Sequence, residues 1–487
     1  MKTSKLSSLR KQGTLRNSRV VATVLLLIII LFSPNPSSLA QSIHQTEYES
    51  HKELAKKPSF FANTDYRIVP IRQVKNTSLS HAIFGYLPDW EYTSSRNTLQ
   101  YDLLTHIAIF DFTVSANGSL TVPSYWPWVD VINSAHEEGV KIIATVVNFT
   151  TSQIHSLLSS SVSKQNLFEN LAALLKEFDL DGVNIDFENL ASADRGSLLN
   201  RFMADLTDYL HREVPGSEIS FAAPPVNWGG WDLPGLAHSC DYLFIMGYNF
   251  YGSWSETSGP SAPLRGGSYN ITNTIQQEYG AVLSSQAHKL ILGVPYYGDR
   301  WKTRTTAAHS QTEEHLGHPR YKTAYEESLL HGLKWHIPSR ASWYSYRQNS
   351  NNYQVWFETD TSLGLKYDLV LQHNLKGTGM WALGYDGDRP ELWDELRNKF
   401  TNSSGIEHIN TLPDERLHVY PNPVGDVLHF HFSGNSTQAK TARITNLQGR
   451  VINRFTISET SNSISTSQLS PGVYFLRIGI CCKLFVK

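Results

Sequence analysis

The sequence predicts an α/β chain, a closed (β/α)8 TIM barrel followed by a small all-β sandwich-like C-terminal domain. Three observations carry that expectation. Eight short apolar runs recur between residues 81 and 400, and several are separated by segments whose apolar residues repeat at helical spacing. Near-continuous apolar strands alternating with helices indicate a parallel sheet covered on its outer face, and eight units favour closure over an open sheet. After residue 400 the composition changes to alternating strands split by turn signals.

The elements follow in order. Residues 1–40 carry Lys2, Lys5, Arg10, Lys11, Arg16 and Arg19, then an apolar stretch at 20–32, then Ser38-Leu39-Ala40. This is the pattern of a secretory signal peptide cleaved after Ala40. The apolar stretch is short for a bilayer span, so no stable membrane span is expected after cleavage; an uncleaved anchor is the alternative. Residues 41–80 form an N-terminal extension. The barrel is expected over 81–400, with strands at 82–86, 104–110, 140–147, 181–188, 218–224, 241–248, 289–296 and 378–384. Helices are indicated by Leu167, Leu171, Leu174, Leu175 and Phe178, by Leu198, Leu199, Phe202, Leu206 and Leu210, and by Ile271, Ile275, Tyr279 and Val282.

The connection 298–377 is too long to lack structure of its own. It holds Trp335, Trp343, Tyr344, Tyr346 and Trp356, which suit either a cleft wall at the barrel rim or plain packing. Residues 401–415 read as a linker. Residues 416–487 read as the β domain, with Gly434-Asn435, Gln448-Gly449 and Pro471-Gly472 as turns.

Composition narrows the function classes. A formal charge of -2 leaves no broad basic field for nucleic acid, and no nucleic-acid partner is expected. The 12 Trp and 23 Tyr suit sugar rings, whose C–H faces are apolar and whose hydroxyls need partners, or an aromatic core. Three cysteines, Cys240, Cys481 and Cys482, are too few for a disulfide framework, and Cys240 reads as a small buried residue.

The densest signal is Asp181-Gly182-Val183-Asn184-Ile185-Asp186-Phe187-Glu188. Side chains alternate along a strand, so Asn184, Asp186 and Glu188 share one face, and Asp186 and Glu188 lie roughly 6.6 Å apart along it. Barrel enzymes build their sites at the carboxyl ends of strands, where Glu188 falls. Two carboxyl groups in one partly desolvated pocket suit acid/base chemistry, with Glu188 as general acid and Asp186 hydrogen-bonded to it. A structural or metal-binding cluster is the other reading, but the neighbouring residues are Asn184 and Asn189 rather than histidine or further carboxylates; no metal and no cofactor are expected.

This run resembles the active-site signature of glycoside hydrolase family 18, the chitinase-like enzymes. Phe84-Gly85-Tyr86 with Pro88 and Trp90 is similar to the family's first strand, and Met246-Gly247-Tyr248-Asn249 to its sixth. Gly293-Val294-Pro295-Tyr296-Tyr297-Gly298 and Gly379-Met380-Trp381-Ala382-Leu383-Gly384-Tyr385-Asp386 resemble the seventh and eighth. The resemblance implies substrate-assisted retaining hydrolysis, in which the substrate's own acetamide oxygen is the nucleophile. It implies Glu188 as acid and then base, Asp186 as holder of the acetamide N–H, and Tyr248 as partner of the acetamide oxygen. Met246 would shape the pocket and Trp381 its floor, with Asn184, Asn249, Tyr86 and Trp90 as further substrate-binding positions. Asn184 and Asn249 stand where the family often has Asp, and Asn184 can still donate an amide hydrogen bond to Asp186. The third strand ends Thr145-Val146-Val147-Asn148, without the family's frequent small residues, which is nearer to the spore-cortex and chitobiase-like branch.

Tyr420-Pro421-Asn422-Pro423, Asn446-Leu447-Gln448-Gly449-Arg450, Leu469-Ser470-Pro471-Gly472-Val473-Tyr474 and the terminal Lys483-Leu484-Phe485-Val486-Lys487 resemble the sorting domain of type IX secretion in Bacteroidetes. The resemblance implies the type IX secretion machinery as a partner, and a secreted or cell-surface protein. The expected function is hydrolysis of glycans containing β-linked N-acetylglucosamine, whether chitin oligomers, peptidoglycan or the N-glycan core. A noncatalytic chitin- or glycan-binding lectin on the same barrel is the competing class, and Glu188 argues against it.

Overall fold

The computed structural model describes residues 42–52, 66–71, 79–401, 417–432, 440–446, 451–457, 461–478 and 481–487. The expected signal peptide, the 401–415 linker beyond Thr401, and the turns at Gly434-Asn435 and Gln448-Gly449 lie outside these residues. The chain divides into two compact units, residues 1–402 and 403–487.

The first unit is the barrel. Its strands begin with β1 (Ala82–Pro88), β2 (His106–Val114), the short β3 (Leu120–Thr121), β4 (Lys141–Asn148) and β5 (Gly182–Phe187), and continue with β6 (Glu218–Ala223), β7 (Tyr242–Met246) and β8 (Leu290–Pro295). A separate antiparallel sheet follows, in the order β10 (Thr312–His315), β9 (Gly298–Thr303), β13 (Asn351–Phe357), β12 (Ala341–Gln348), β11 (Lys334–His336). Then β14 (Gly377–Trp381) returns to the barrel and pairs with both β8 and β1. The ladder β1-β2-β4-β5-β6-β7-β8-β14 is parallel throughout and closes on itself, as the alternation of apolar runs predicts.

Both faces of each strand are covered, so the strands read as apolar runs rather than as alternation. The helix Ser161–Phe178 starts where the Ser160 hydroxyl accepts the Ser163 N–H and stops at Asp179, which is left-handed at φ 52°. Two residues on, the Asp181 carboxylate accepts the Ile142 N–H at 2.7 Å and contacts His136 Nε2 at 3.2 Å, pinning the start of β5 to β4. The helix Ser197–Glu213 buries Leu199, Phe202, Met203, Leu206 and Leu210 against the sheet, each contributing about 1.5–3 kcal/mol relative to exposure. Phe187 of β5 points outward into that layer, 5.9 Å from the Phe202 ring.

The segment expected as one helix over 271–282 is broken into Ile271–Asn273, a π-helical turn at Thr274–Glu278 and Gly280–Gln286. Its apolar residues still face inward. The Thr274 hydroxyl donates to the Pro225 carbonyl at 2.7 Å and the Tyr279 phenol to the Pro224 carbonyl at 2.7 Å, so both ends of the turn are tied to the loop after β6 and the helix widens between them. In the inserted sheet, Trp343 and Trp356 stack at 5.1 Å and are buried with Trp301, and Tyr344 is buried too. The three tryptophans form the insert's own core, while Tyr344 packs into the core of the barrel.

In the second unit, β15 (Leu417–Tyr420), β16 (Val427–Phe432) and β19 (Ser461–Ser465) form one antiparallel sheet. A second contains β17 (Lys440–Asn446), β18 (Val451–Ile457), β20 (Val473–Ile478) and β21 (Cys481–Val486). Leu417, Leu428 and Phe430 of the first sheet and Ala442, Ile444, Leu476 and Phe485 of the second share one core. The Asn422 side chain accepts the Val486 N–H at 2.9 Å and donates to the Leu484 carbonyl at 3.3 Å, which clips the last strand in place.

Gly182, the second residue of the signature, lies against β6: a Cβ there would stand 2.0 Å from the Glu218 carbonyl oxygen. Gly182→Ala is therefore expected to force β5 away from β6 and to destabilise the barrel by about 1–3 kcal/mol, measurable as a lowered midpoint in urea unfolding.

Candidate active site

The site is built upward from the polar face of β5. Asn184 is fully buried; its carbonyl oxygen accepts the Tyr86 phenol from the opposite wall at 2.8 Å, and its amide donates to the Ser220 hydroxyl on β6 at 2.9 Å. The amide hydrogen bond that Asn184 could give Asp186 goes to Ser220 instead. Register explains this: Asn184 lies directly opposite Ser220, and the phenol takes its oxygen.

Asp186 is one step higher and also fully buried. Burial pushes its carboxyl well above the usual carboxylate range. Glu188 stands just past the end of β5, its N–H bonded to the Asn148 carbonyl at 3.1 Å, and Asn189 turns the chain with φ 59°. Burial first, then the neighbouring Asp186 charge, raises the Glu188 carboxyl as well, while His44 and a hydrogen bond with Ser42 oppose the shift. The expected Asp186–Glu188 hydrogen bond is replaced by contacts to His44. Asp186 Oδ1 and Glu188 Oε1 are buried and make no hydrogen bond among the described residues.

His44 comes from the helix Ile43–His51, in the extension before the barrel. Its Nδ1 lies 2.8 Å from Asp186 Oδ2 and 3.7 Å from Glu188 Oε1, and its Nε2 lies 2.8 Å from the Tyr248 hydroxyl. The ring stacks on Trp381 at 3.8 Å between centroids. Burial lowers the His44 imidazole to about 4, so near neutral pH it carries one donor and one acceptor. Tyr248 and Trp381 are both buried and meet Asp186 around this one ring.

The remaining expected positions surround it. Met246 and Asn249 line a cavity beside Glu188. Asn249 is left-handed at φ 60°, and its side-chain oxygen accepts the Tyr297 phenol at 2.7 Å. Trp90 donates to the Tyr385 hydroxyl at 3.2 Å. Tyr86 lies beneath, in the Asn184 network.

The cavity measures about 600 Å³ and opens next to Glu188. Its walls include Trp228, Trp254 and Tyr269, which are 60%, 41% and 48% exposed, together with Trp231 and Arg195. These residues follow β5, β6 and β7, and the sequence reading had not singled them out; their signal was a cluster of aromatics just after strand ends. His44 and Glu47 were also missed. The Ser42-Ile43-His44-Gln45 run is a helix-start signature, and Ser42 does accept the Gln45 N–H, but nothing local assigns that helix to the barrel mouth.

Two groups among the described residues have metal-ligand chemistry. One is His44 with Asp186 and Glu188; the other is Asp299 with His315 and His318. In the second, burial opposes ionisation of Asp299, but the His318 charge and the hydrogen bonds from both histidines outweigh it and hold the carboxyl below its usual range. His315 Nε2 is hydrogen-bonded to Asp299 Oδ1 at 3.0 Å, and His318 Nδ1 lies 3.0 Å from the same oxygen as an ion-pair contact.

Residues 82–386 match the profile of glycosyl hydrolases family 18, and residues 418–481 match the secretion system C-terminal sorting domain. The latter is the type IX sorting signal and marks the chain as exported, secreted or cell-surface. No helix among the described residues is long and apolar enough to cross a membrane. Di-N-acetylchitobiase of Homo sapiens is 30% identical over 304 residues, covering 54% of this chain and 74% of that protein. The cortical fragment-lytic enzyme of Bacillus subtilis (strain 168) is 26% identical over 310 residues, covering 61% of this chain and 68% of that protein. In fold, the barrel is similar to the family 18 chitinase of Cycas revoluta in complex with (GlcNAc)3, with a TM-score of 0.58, 17% identity, and coverage of 65% of this chain and 99% of that one. The Bacillus cereus spore cortex-lytic enzyme SleL gives a TM-score of 0.55 at 19% identity over 66% of this chain and 74% of that one. The family match runs from the start of β1 to beyond the end of β14, and the chain belongs to glycosyl hydrolase family 18.

Proposed function

We propose that this exported glycoside hydrolase cleaves β-linked N-acetylglucosamine-containing glycans by substrate-assisted retaining catalysis. The observation that carries the reading is the placement of Glu188, largely covered and with its carboxyl raised by burial, between an open aromatic cavity on one side and Asp186, Tyr248 and Trp381 on the other. Each group then has a role. Glu188 protonates the leaving oxygen and afterwards takes a proton from water. Asp186 accepts the acetamide N–H, Tyr248 donates to the acetamide oxygen that attacks the anomeric carbon, and Trp381 supports the sugar ring. Asp186 and Tyr248 are each 2.8 Å from one imidazole, which supports a pocket sized for a small planar group with a donor and an acceptor. The chitobiase and cortex-lytic relatives support the substrate class, and chitin oligomers, peptidoglycan and the N-glycan chitobiose core are the candidates within it. Parallel assays on these three, with the anomer of the first product determined, test the reading: release of β-configured product is expected. Cleavage of none would favour a lectin.

Glu188→Gln is expected to lower kcat by about 10³-fold while oligosaccharide binding persists, because the amide keeps the volume and loses the proton. Since burial disfavours the ionised carboxyl, Glu188 keeps its proton at pH values well above the ordinary glutamate range of about 4.3, so activity should persist into neutral pH and fall only as pH rises through the elevated value. A kcat/KM profile with its basic limb near pH 4 to 5 would contradict this. Trp228→Ala and Trp254→Ala should raise KM by up to about tenfold with little change in kcat, the signature of lost sugar stacking remote from the reacting bond.

A further inference from the structure

The helix Ile43–His51 turns Ile43, His44, Glu47 and His51 toward the barrel mouth, positions i, i+1, i+4 and i+8 of one face. Its inward polar groups have partners among the barrel's residues. His44 bridges Asp186 and Tyr248 and stacks on Trp381. The Glu47 carboxyl accepts from Trp381 Nε1 at 3.2 Å and from the Tyr385 hydroxyl. Ser42 is hydrogen-bonded to Glu188, Gln45 accepts from Asn189 at 2.9 Å, and the His51 ring stacks on Trp90 at 4.3 Å.

We propose that residues 42–52 are an internal ligand of the catalytic site, a substrate-mimicking segment that holds the enzyme inactive until it is displaced. The inference rests on the reading of the pocket as an acetamide site. The imidazole of His44 matches that chemistry: it is planar, and it offers one N–H and one acceptor nitrogen, as an acetamide offers its N–H and its carbonyl. It takes the same two partners assigned to the acetamide and occupies the face of Trp381 assigned to the sugar. A nine-residue helix is too short to be stable alone in water, so this one forms on the surface that it occupies. The segment fills one half of the site. The aromatic cavity on the other side of Glu188 remains open, so glycan can reach the acid but cannot seat the sugar whose acetamide must react.

Occupancy by the segment lowers apparent substrate affinity by the fraction of molecules in which the site is free. The double variant His44→Ala/Glu47→Ala in the full secreted chain is expected to raise kcat/KM on chito-oligosaccharides by at least about tenfold, mostly through KM. Amide hydrogen exchange over 43–51 should be slow in the unaltered protein and fast in the variant, and a synthetic 42–52 peptide should inhibit the variant competitively. Unprotected 43–51 amides in the unaltered protein, or a variant that cleaves no better than an unaltered protein that is itself active, would overturn the proposal. If neither protein cleaves any N-acetylglucosamine substrate while the protection is present and is lost in the variant, the occupancy stands and the substrate assignment is what fails.

Discussion

Asp186 is a carboxyl group fully buried inside a closed parallel sheet, and the surrounding structure answers that constraint. An isolated buried carboxylate costs several kcal/mol, so the group must either keep its proton or be met by donors. The fold supplies both outcomes at once. Burial raises its proton affinity, and an imidazole at 2.8 Å gives one oxygen a partner while the other makes no hydrogen bond among the described residues. Glu188, two residues on, inherits the same environment and the repulsion of its neighbour. Two carboxyl groups whose proton affinities are raised by burial suit acid chemistry near neutral pH, and in this chain they arise from Asp186 on the inner face of β5 and Glu188 just past its end.

Much of this was legible in the chain itself. The eight barrel strands fall where the apolar runs place them because a strand buried on both faces leaves a continuous apolar record, and Asn184, Asp186 and Glu188 stand out as polar residues within one. The helix over 271–282 was legible as an apolar face but not as a broken helix, since the break comes from hydrogen bonds to Pro224 and Pro225 in a loop distant in sequence. Asn184 misled for a related reason. Its local neighbour is Asp186, yet its partners come from across the barrel and from the next strand, and only the register reveals them.

The extension was the least legible part. Its sequence is polar, and its one local signature is a helix start. The information that makes it functional is complementarity: an imidazole and a carboxylate one helical turn apart match a phenol, an indole N–H and a buried carboxyl contributed by strands far along the chain. The tryptophans of the long insert show the converse. Their sequence suited a cleft wall or plain packing, and Trp301, Trp343 and Trp356 pack as the core of a separate sheet, whereas the exposed aromatics beside Glu188 come from the segments after β6 and β7.

The Tyr86–Asn184–Ser220 chain of hydrogen bonds carries no ionised group, and it joins β1 to β5 and β6 across the bore directly beneath Asp186. An aspartate at position 184 would make the length and strength of that tie depend on its own titration and on that of the carboxyl above it. With an amide, the distance between opposing walls at this depth is set by two neutral bonds that do not respond to proton concentration near neutrality. The barrel thus has a neutral tie at this depth, whose two hydrogen bonds do not depend on whether the carboxyl groups above it are protonated.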